Sequence, residues 1–162
     1  MTVSRRALLA ASSAAITSAA TPTGAKPFEE EPQMDGLAEI KQIDYTVVFA
    51  RDMGAMLDFY QRVMGFAIAK RLGEGWVELR AGSNTLALTL PGMMFNDQLA
   101  PKGTLSLQLA FRVSPSAVQR CVEELKAKGV DPVHPVTDQP WGHRTVFFRD
   151  PDGNVVEFYA EI

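Results

Sequence analysis

Apolar and polar residues alternate through residues 105–113, LSLQLAFRV. Leu105, Leu107, Leu109, Phe111 and Val113 fall on one face, and Ser106, Gln108, Ala110 and Arg112 on the other. Residues 84–90 repeat the pattern, with Leu86, Leu88 and Leu90 opposed to Thr85, Ala87 and Thr89. Both stretches predict strands that pack one side on helices and leave a small, polar side free. Elsewhere the period lengthens. Met56, Tyr60, Val63 and Met64 recur at i, i+4, i+7 and i+8, with Asp52 placed to cap a helix and Gly65 to end it. A second helix opens at Ser114-Pro115, carries Val118, Cys121, Val122 and Leu125 on its stripe, and stops at Gly129. Cys121, on that stripe, reads as a small buried hydrophobe rather than a nucleophile.

The order of these elements occurs twice. The strand IDYTVVFA (43–50), a helix, WVELRAG and NTLALTL make a first module over about 42–90. LSLQLAFRV, a helix, RTVFFRDP and NVVEFYA make a second over about 105–160, with 91–104 as linker. Two sheets, each with small and polar residues on its helix-free side, predict an α+β domain over 41–162 whose halves curl toward a shared cleft. In the linker, Met93, Met94 and Phe95 are apolar where a connection is ordinarily polar, which predicts a flap over the cleft, a contact in a homodimer, or burial against the sheet.

The first 25 residues differ from the rest. They hold Arg5-Arg6, an Ala/Ser/Thr-rich run and no acid, which predicts a removable address. Ser4-Arg5-Arg6 ahead of Ala7-Leu8-Leu9 resembles a twin-arginine export signal; an ordinary secretory signal and a transit peptide are the alternatives. The run is too short and too rich in Ala and Ser for a membrane span. The expected location is therefore periplasmic or extracellular, after an acidic, proline-bearing tether at 26–40. Without Arg5 and Arg6 the 16 basic residues fall to 14 against 19 acidic ones, a net charge of −5 that argues against nucleic acid as partner. The single cysteine excludes an intrachain disulfide, so the core alone must stabilise the fold.

The paired arrangement and the closing FFRDPDGNVVEF resemble the vicinal oxygen chelate superfamily, which includes glyoxalase I, extradiol dioxygenases and bleomycin-resistance proteins. The resemblance covers about 40–160. It implies two βαβββ modules whose curved mixed sheets enclose a cleft for a ligand or metal. Metal-binding members place ligands early in the first strand and in the last strand of each module. Those points fall on Tyr45, Ala87, Gln108 and Glu157, of which only Glu157 is a recognisable ligand. His134, in DPVHPV, and His143, in PWGH, stand at none of them. No metal and no cofactor are expected.

If Arg149 and Asn154 flank the DPDG turn, Phe148 lies opposite Val155, Val146 opposite Glu157 and Arg144 opposite Tyr159, all facing the cleft. The same construction in the first module sets Glu78 opposite Thr85 and Trp76 opposite Ala87. Tyr45 and Phe49 of the first strand, Arg112 of LSLQLAFRV, and Trp141 as a stacking surface complete the expected ligand-binding set. Arg144 then stands one diagonal from Glu157. Paired with it, Glu157 stays ionised and can anchor a cationic ligand; unpaired, it can serve as a general base, with Tyr45 donating to developing charge and Gln108 orienting the substrate. The leading expectation is a metal-free binder of a small aromatic or cationic molecule. The alternative is a metal-independent lyase or isomerase using Glu157, Tyr45 and Gln108. A metal enzyme built on His143 and Glu157 is the remote third reading.

Overall fold

A computed structural model describes residues 36–92 and 95–162. The predicted export signal, most of the tether, and Met93 and Met94 lie outside the described residues. The short 3-10 turn Gly36–Glu39 belongs to a separate N-terminal unit that ends at Ile40. The second unit spans Lys41–Ile162.

Strand β1 (Tyr45–Phe49) leads into helix α1 (Met53–Leu57), followed by β2 (Ala67–Leu72), β3 (Trp76–Ala81) and β4 (Asn84–Thr89). The second module repeats this order. It contains β5 (Gln108–Arg112), α2 (Pro115–Ala127), the two-residue β6 (Thr137–Asp138), β7 (His143–Arg149) and β8 (Val155–Glu161). Each module is a four-stranded mixed sheet, ordered β1-β4-β3-β2 and β5-β8-β7-β6. The pairs β1·β4 and β5·β8, each at one edge of its sheet, are parallel and the others antiparallel. The repeat register holds at the backbone: Tyr45 pairs with Thr85 and Val47 with Ala87, as Gln108 pairs with Val155 and Ala110 with Glu157.

The helix signals act as their chemistry requires. The Asp52 carboxylate accepts from the Ala55 amide at 3.0 Å and caps α1. Past Leu57 the helix widens to a π-type turn over Asp58–Val63, in which the Met64 amide reaches the Phe59 carbonyl. The wider turn lets Phe59, Tyr60 and Val63 all be buried. In α2, Val118, Val122 and Leu125 face the core, and Cys121 is half-buried against it. Ser114 stands at the N-cap without a side-chain bond to the helix, so Pro115 at the first turn marks the start.

The core is shared by the modules. Tyr60 stacks on Phe66, Phe66 meets Phe111 at 5.4 Å, Phe111 meets Phe158, and Phe158 meets Phe148. Aromatic contacts thus run from the first helix to the last hairpin, and the Lys128 ammonium donates to the Val63 carbonyl at 2.6 Å between the two helices. Among the described residues no helix is long and apolar enough to cross a membrane.

Two expectations about the sheets fail. The halves do not curl around an enclosed cleft: neither sheet closes or bends strongly. Two of the side chains that were to line an enclosure stand open, Tyr45 48 % and Phe49 40 % exposed. The second failure is register. In the last hairpin Arg149 pairs with Val155, Phe148 with Val156 and Phe147 with Glu157, one residue off the expected pairing. The turn is odd in length: the Gly153 amide donates to the Asp150 carbonyl and the Asp150 amide to that of Asn154, so Pro151, Asp152 and Gly153 form the loop. A slip of one exchanges the faces of a strand. Val146 and Phe148, expected in the cleft, are fully buried in the core, and Phe147 is the side chain across from Glu157. In the first module Glu78 pairs with Ala87 and Trp76 with Thr89, two residues off, which leaves both on the expected face. Leu105, expected to pack, precedes β5 and is 78 % exposed.

Candidate functional site

The side chains singled out in the sequence separate into small groups. On the first sheet the Trp76 indole donates to Glu78 at 3.0 Å, and Tyr45 meets the Trp76 ring edge-on at 6.0 Å. On the second, Gln108 of β5 donates from Nε2 to Glu157 of β8 at 2.7 Å, across the diagonal of the parallel pair. No hydrogen bond, ion pair or ring contact joins Tyr45 to Gln108 or Glu157 among the described residues. Further along the same face, Arg112 donates to the Tyr159 hydroxyl at 3.3 Å, lies 5.6 Å from that ring's centre and pairs with Glu161. His143 stacks on the Tyr159 ring at 5.1 Å. The hydrogen bond Arg112 donates to Tyr159 comes first, and the Glu161 charge second, in raising the Arg112 pKa above its ordinary value.

Arg144 is not a partner of Glu157. It pairs in the backbone with Ala160 and holds Asp138 of β6 through two bonds, at 2.6 and 2.8 Å. Those bonds lower the Asp138 pKa. Phe148 is in the core, and Trp141 is 66 % exposed on its loop. Glu157 is therefore a half-buried carboxylate whose hydrogen-bond partner among the described residues is a neutral amide.

The four points at which the resemblance would place metal ligands carry a phenol, a methyl group, an amide already committed to Glu157, and one carboxylate. This donor set does not fit a divalent ion. Among the described residues no three His, Cys, Asp or Glu side chains come together as a metal site. His134 is exposed and His143 is stacked on Tyr159, so neither supplies the missing ligands.

Sequence reasoning missed the most heavily bonded acid. Asp150 is 5 % exposed and accepts from the Tyr60 hydroxyl at 2.9 Å, from Asn154 Nδ2 at 2.9 Å, and from the amides of Asp152 and Asn154 at 3.0 and 2.9 Å. Burial first, and then the neighbouring carboxylate, push the Tyr60 phenol far above its usual range. A signal was available, since a tyrosine on an apolar helix stripe must find a partner for its hydroxyl. The same turn holds the first module again through Asp152, which accepts from the Arg51 amide at 2.9 Å. The DPDG turn is thus a clasp between modules.

A cavity of about 490 Å³ lies where the end of β1, the inter-module linker and this turn meet. Val47, Phe49, Arg51, Phe95, Asp97 and Asp152 are among its lining. Of the residues expected to bind ligand, Phe49 lines it; Gln108 and Glu157 do not.

Two mixed four-stranded sheets from repeated modules, with an acid retained at one of four ligand points, define a class of fold rather than an activity. Residues 42–158 match the model of the Glyoxalase/Bleomycin resistance protein/Dioxygenase superfamily, and the chain belongs to that superfamily. It is similar to the protein YwbC of Bacillus subtilis, with 27% identity over 126 residues, covering 74% of this chain and 97% of that one. Among solved structures it is similar to a glyoxalase/bleomycin resistance protein/dioxygenase from Nocardioides, at 22% identity and a TM-score of 0.67, covering 76% of this chain and 85% of that one. It is also similar to TnmS3, an antibiotic binding protein from Streptomyces sp. CB03234. There the identity is 27% and the TM-score 0.59, over 76% of this chain and 98% of that one.

Proposed function

We propose that the protein is a metal-independent, small-molecule-binding enzyme of the glyoxalase superfamily, a lyase or isomerase in which Glu157 moves a proton. The observation that carries this reading is the diversion of Arg144 to Asp138. A carboxylate ion-paired to a guanidinium is an anchor. One held by a neutral amide can take a proton without breaking an ion pair. Gln108 donates to Oε2 and fixes the carboxylate's orientation, which leaves Oε1 to meet a substrate C–H next to a carbonyl. The C–H electron pair moves toward the carbonyl as Glu157 takes the proton. With a hydroxyl on the deprotonated carbon, returning the proton to the former carbonyl carbon, as the hydroxyl proton passes to the former carbonyl oxygen, isomerises the substrate; with a leaving group on the carbon beta to the carbonyl, its departure with its electron pair gives the lyase outcome. Tyr45 lies on the other sheet, edge-on to Trp76, and is assigned no part in this step.

Deuterium exchange reads this chemistry without knowledge of the substrate. The protein is incubated in D₂O with a panel of small 2-oxo and 2-hydroxy carbonyl compounds, and loss of the C–H signal is followed by proton NMR. Wash-in of deuterium above the protein-free rate is expected for at least one compound, falling about a hundredfold in Glu157→Gln, at the low end for loss of a general base. Arg144→Gln is expected to leave the wash-in rate unchanged. Wash-in that survives Glu157→Gln overturns the assignment.

The likeness to TnmS3 favours a second reading, in which the protein binds its small molecule and releases it unchanged. Thermal stabilisation by panel compounds, with no wash-in and no effect of Glu157→Gln, would select this reading. Export is also proposed, on the strength of Arg5-Arg6 and the acid-free run behind them. Replacing both arginines by lysine is expected to leave the precursor inside the cell by fractionation if the route is twin-arginine. Unchanged secretion would point to an ordinary secretory signal.

A further inference from the structure

The cavity at the end of β1 is not accounted for by proton transfer at Glu157. We propose that it is a second binding site, selective for a small organic cation with an aromatic or apolar body. Two observations carry this. The first is apolar and exposed: Phe49 and Phe95 meet edge to face at 6.4 Å while remaining 40 % and 59 % exposed, and both line the cavity. A flat apolar body laid against them removes from water two rings that the fold leaves wet, and their faces also attract a cation.

The second observation is the sign and availability of charge. The charged side chains lining the cavity are Arg51, Asp97 and Asp152. The Arg51 guanidinium donates to the Ala100 carbonyl, which fixes it against the linker. Asp152 spends one carboxylate oxygen, Oδ2, on the Arg51 amide, and Asp97 has no side-chain partner among the described residues. Two acids facing one committed base favour a cation over an anion. A volume of about 490 Å³ suits a molecule of one or two rings.

The site stands apart from Glu157, so it can fail or hold independently of the proposed reaction. The test uses the full chain labelled with ¹⁵N, with 2-phenylethylammonium as cationic probe and 3-phenylpropionate as its anionic counterpart. Saturable amide shifts at Phe49, Phe95, Asp97 and Ser106 are expected with the cation, and binding of the anion at least about tenfold weaker. Asp97→Asn, at a side chain without a partner among the described residues, is expected to weaken the cation about fivefold, and Phe95→Ala about tenfold. Phe95→Ala should leave deuterium wash-in at Glu157 unaltered. Equal binding of the two probes, shifts confined to Gln108 and Glu157, or no saturable shift at all would each overturn the proposal.

Discussion

Asp150→Ala is expected to lower the free energy of unfolding by about 4 kcal/mol, a large part of what a domain of this size commonly holds. The carboxylate is 5 % exposed and accepts four hydrogen bonds, two from side chains and two from backbone amides of its own turn. Alanine removes all of its acceptors. The Tyr60 hydroxyl, on a fully buried ring, is left without a partner, and a buried unsatisfied donor costs about 1–3 kcal/mol. The Asp152 and Asn154 amides lose the group that shapes the turn, and with it the placement of Asp152 against Arg51. Urea unfolding followed by circular dichroism should show the midpoint falling by roughly 2 M at an unchanged slope of about 1.5–2 kcal/mol/M. Tyr60→Phe removes one of the four bonds and leaves the others, so a smaller loss of about 1–2 kcal/mol is expected. If the two variants lose the same amount, the turn amides contribute nothing and the clasp is the phenol alone.

The importance of this turn shows what the sequence carries and what it hides. Helices, strands and the twofold repeat were legible because each rests on local periodicity and caps: Asp52, Pro115 and the Met56/Tyr60 stripe act where the pattern puts them. The match between modules was legible through the repeat: Tyr45 and Gln108, and Ala87 and Glu157, take equivalent places in β1·β4 and β5·β8. Face assignment in the last hairpin was not. It depends on whether the loop holds an even or odd number of residues, and DPDG with its flanking Arg149 and Asn154 admits both. A turn that ends on Gly153 in the left-handed region takes the odd form, and Val146 and Phe148 go to the core. In the first module the error was two residues, an even number, and Trp76 and Glu78 kept their face.

The candidate site was half legible for the same reason. Gln108 and Glu157 come from β5 and β8, whose register the repeat supplies, and they meet. Arg144 comes from β7, whose register the turn controls, and it goes to Asp138 instead. That misplacement also leaves Glu157 without an ion-pair partner among the described residues, which is what the proposed role as a base rests on, so a local question of loop length reaches the chemistry. Sheet curvature is a further step removed. It comes from how whole sheets pack, and alternation along single strands is silent about it.

Gly153→Ala is expected to cost about 3 kcal/mol or more, although it adds one methyl group. Two effects combine. Gly153 has φ of +86°, where an L side chain is strained by about 1–2 kcal/mol. The added Cβ would lie 2.7 Å from Gly103 Cα and 2.8 Å from its nitrogen, both backbone atoms that cannot rotate away. Either the turn or the linker must move, at the cost of about 1–3 kcal/mol typical of overpacking. The Gly103 amide would be pushed from the Asp152 carbonyl it now reaches at 3.3 Å. Gly103→Ala separates the two effects, because Gly103 has φ of +81° yet a Cβ there meets nothing within 4 Å. It is expected to lose the strain alone, about 1–2 kcal/mol. Gly103 also lines the cavity beside Asp152, so displacing the linker in Gly153→Ala should weaken binding of 2-phenylethylammonium as well as stability. Equal losses of stability in the two alanine variants would show that the linker yields freely, and that the turn does not hold it.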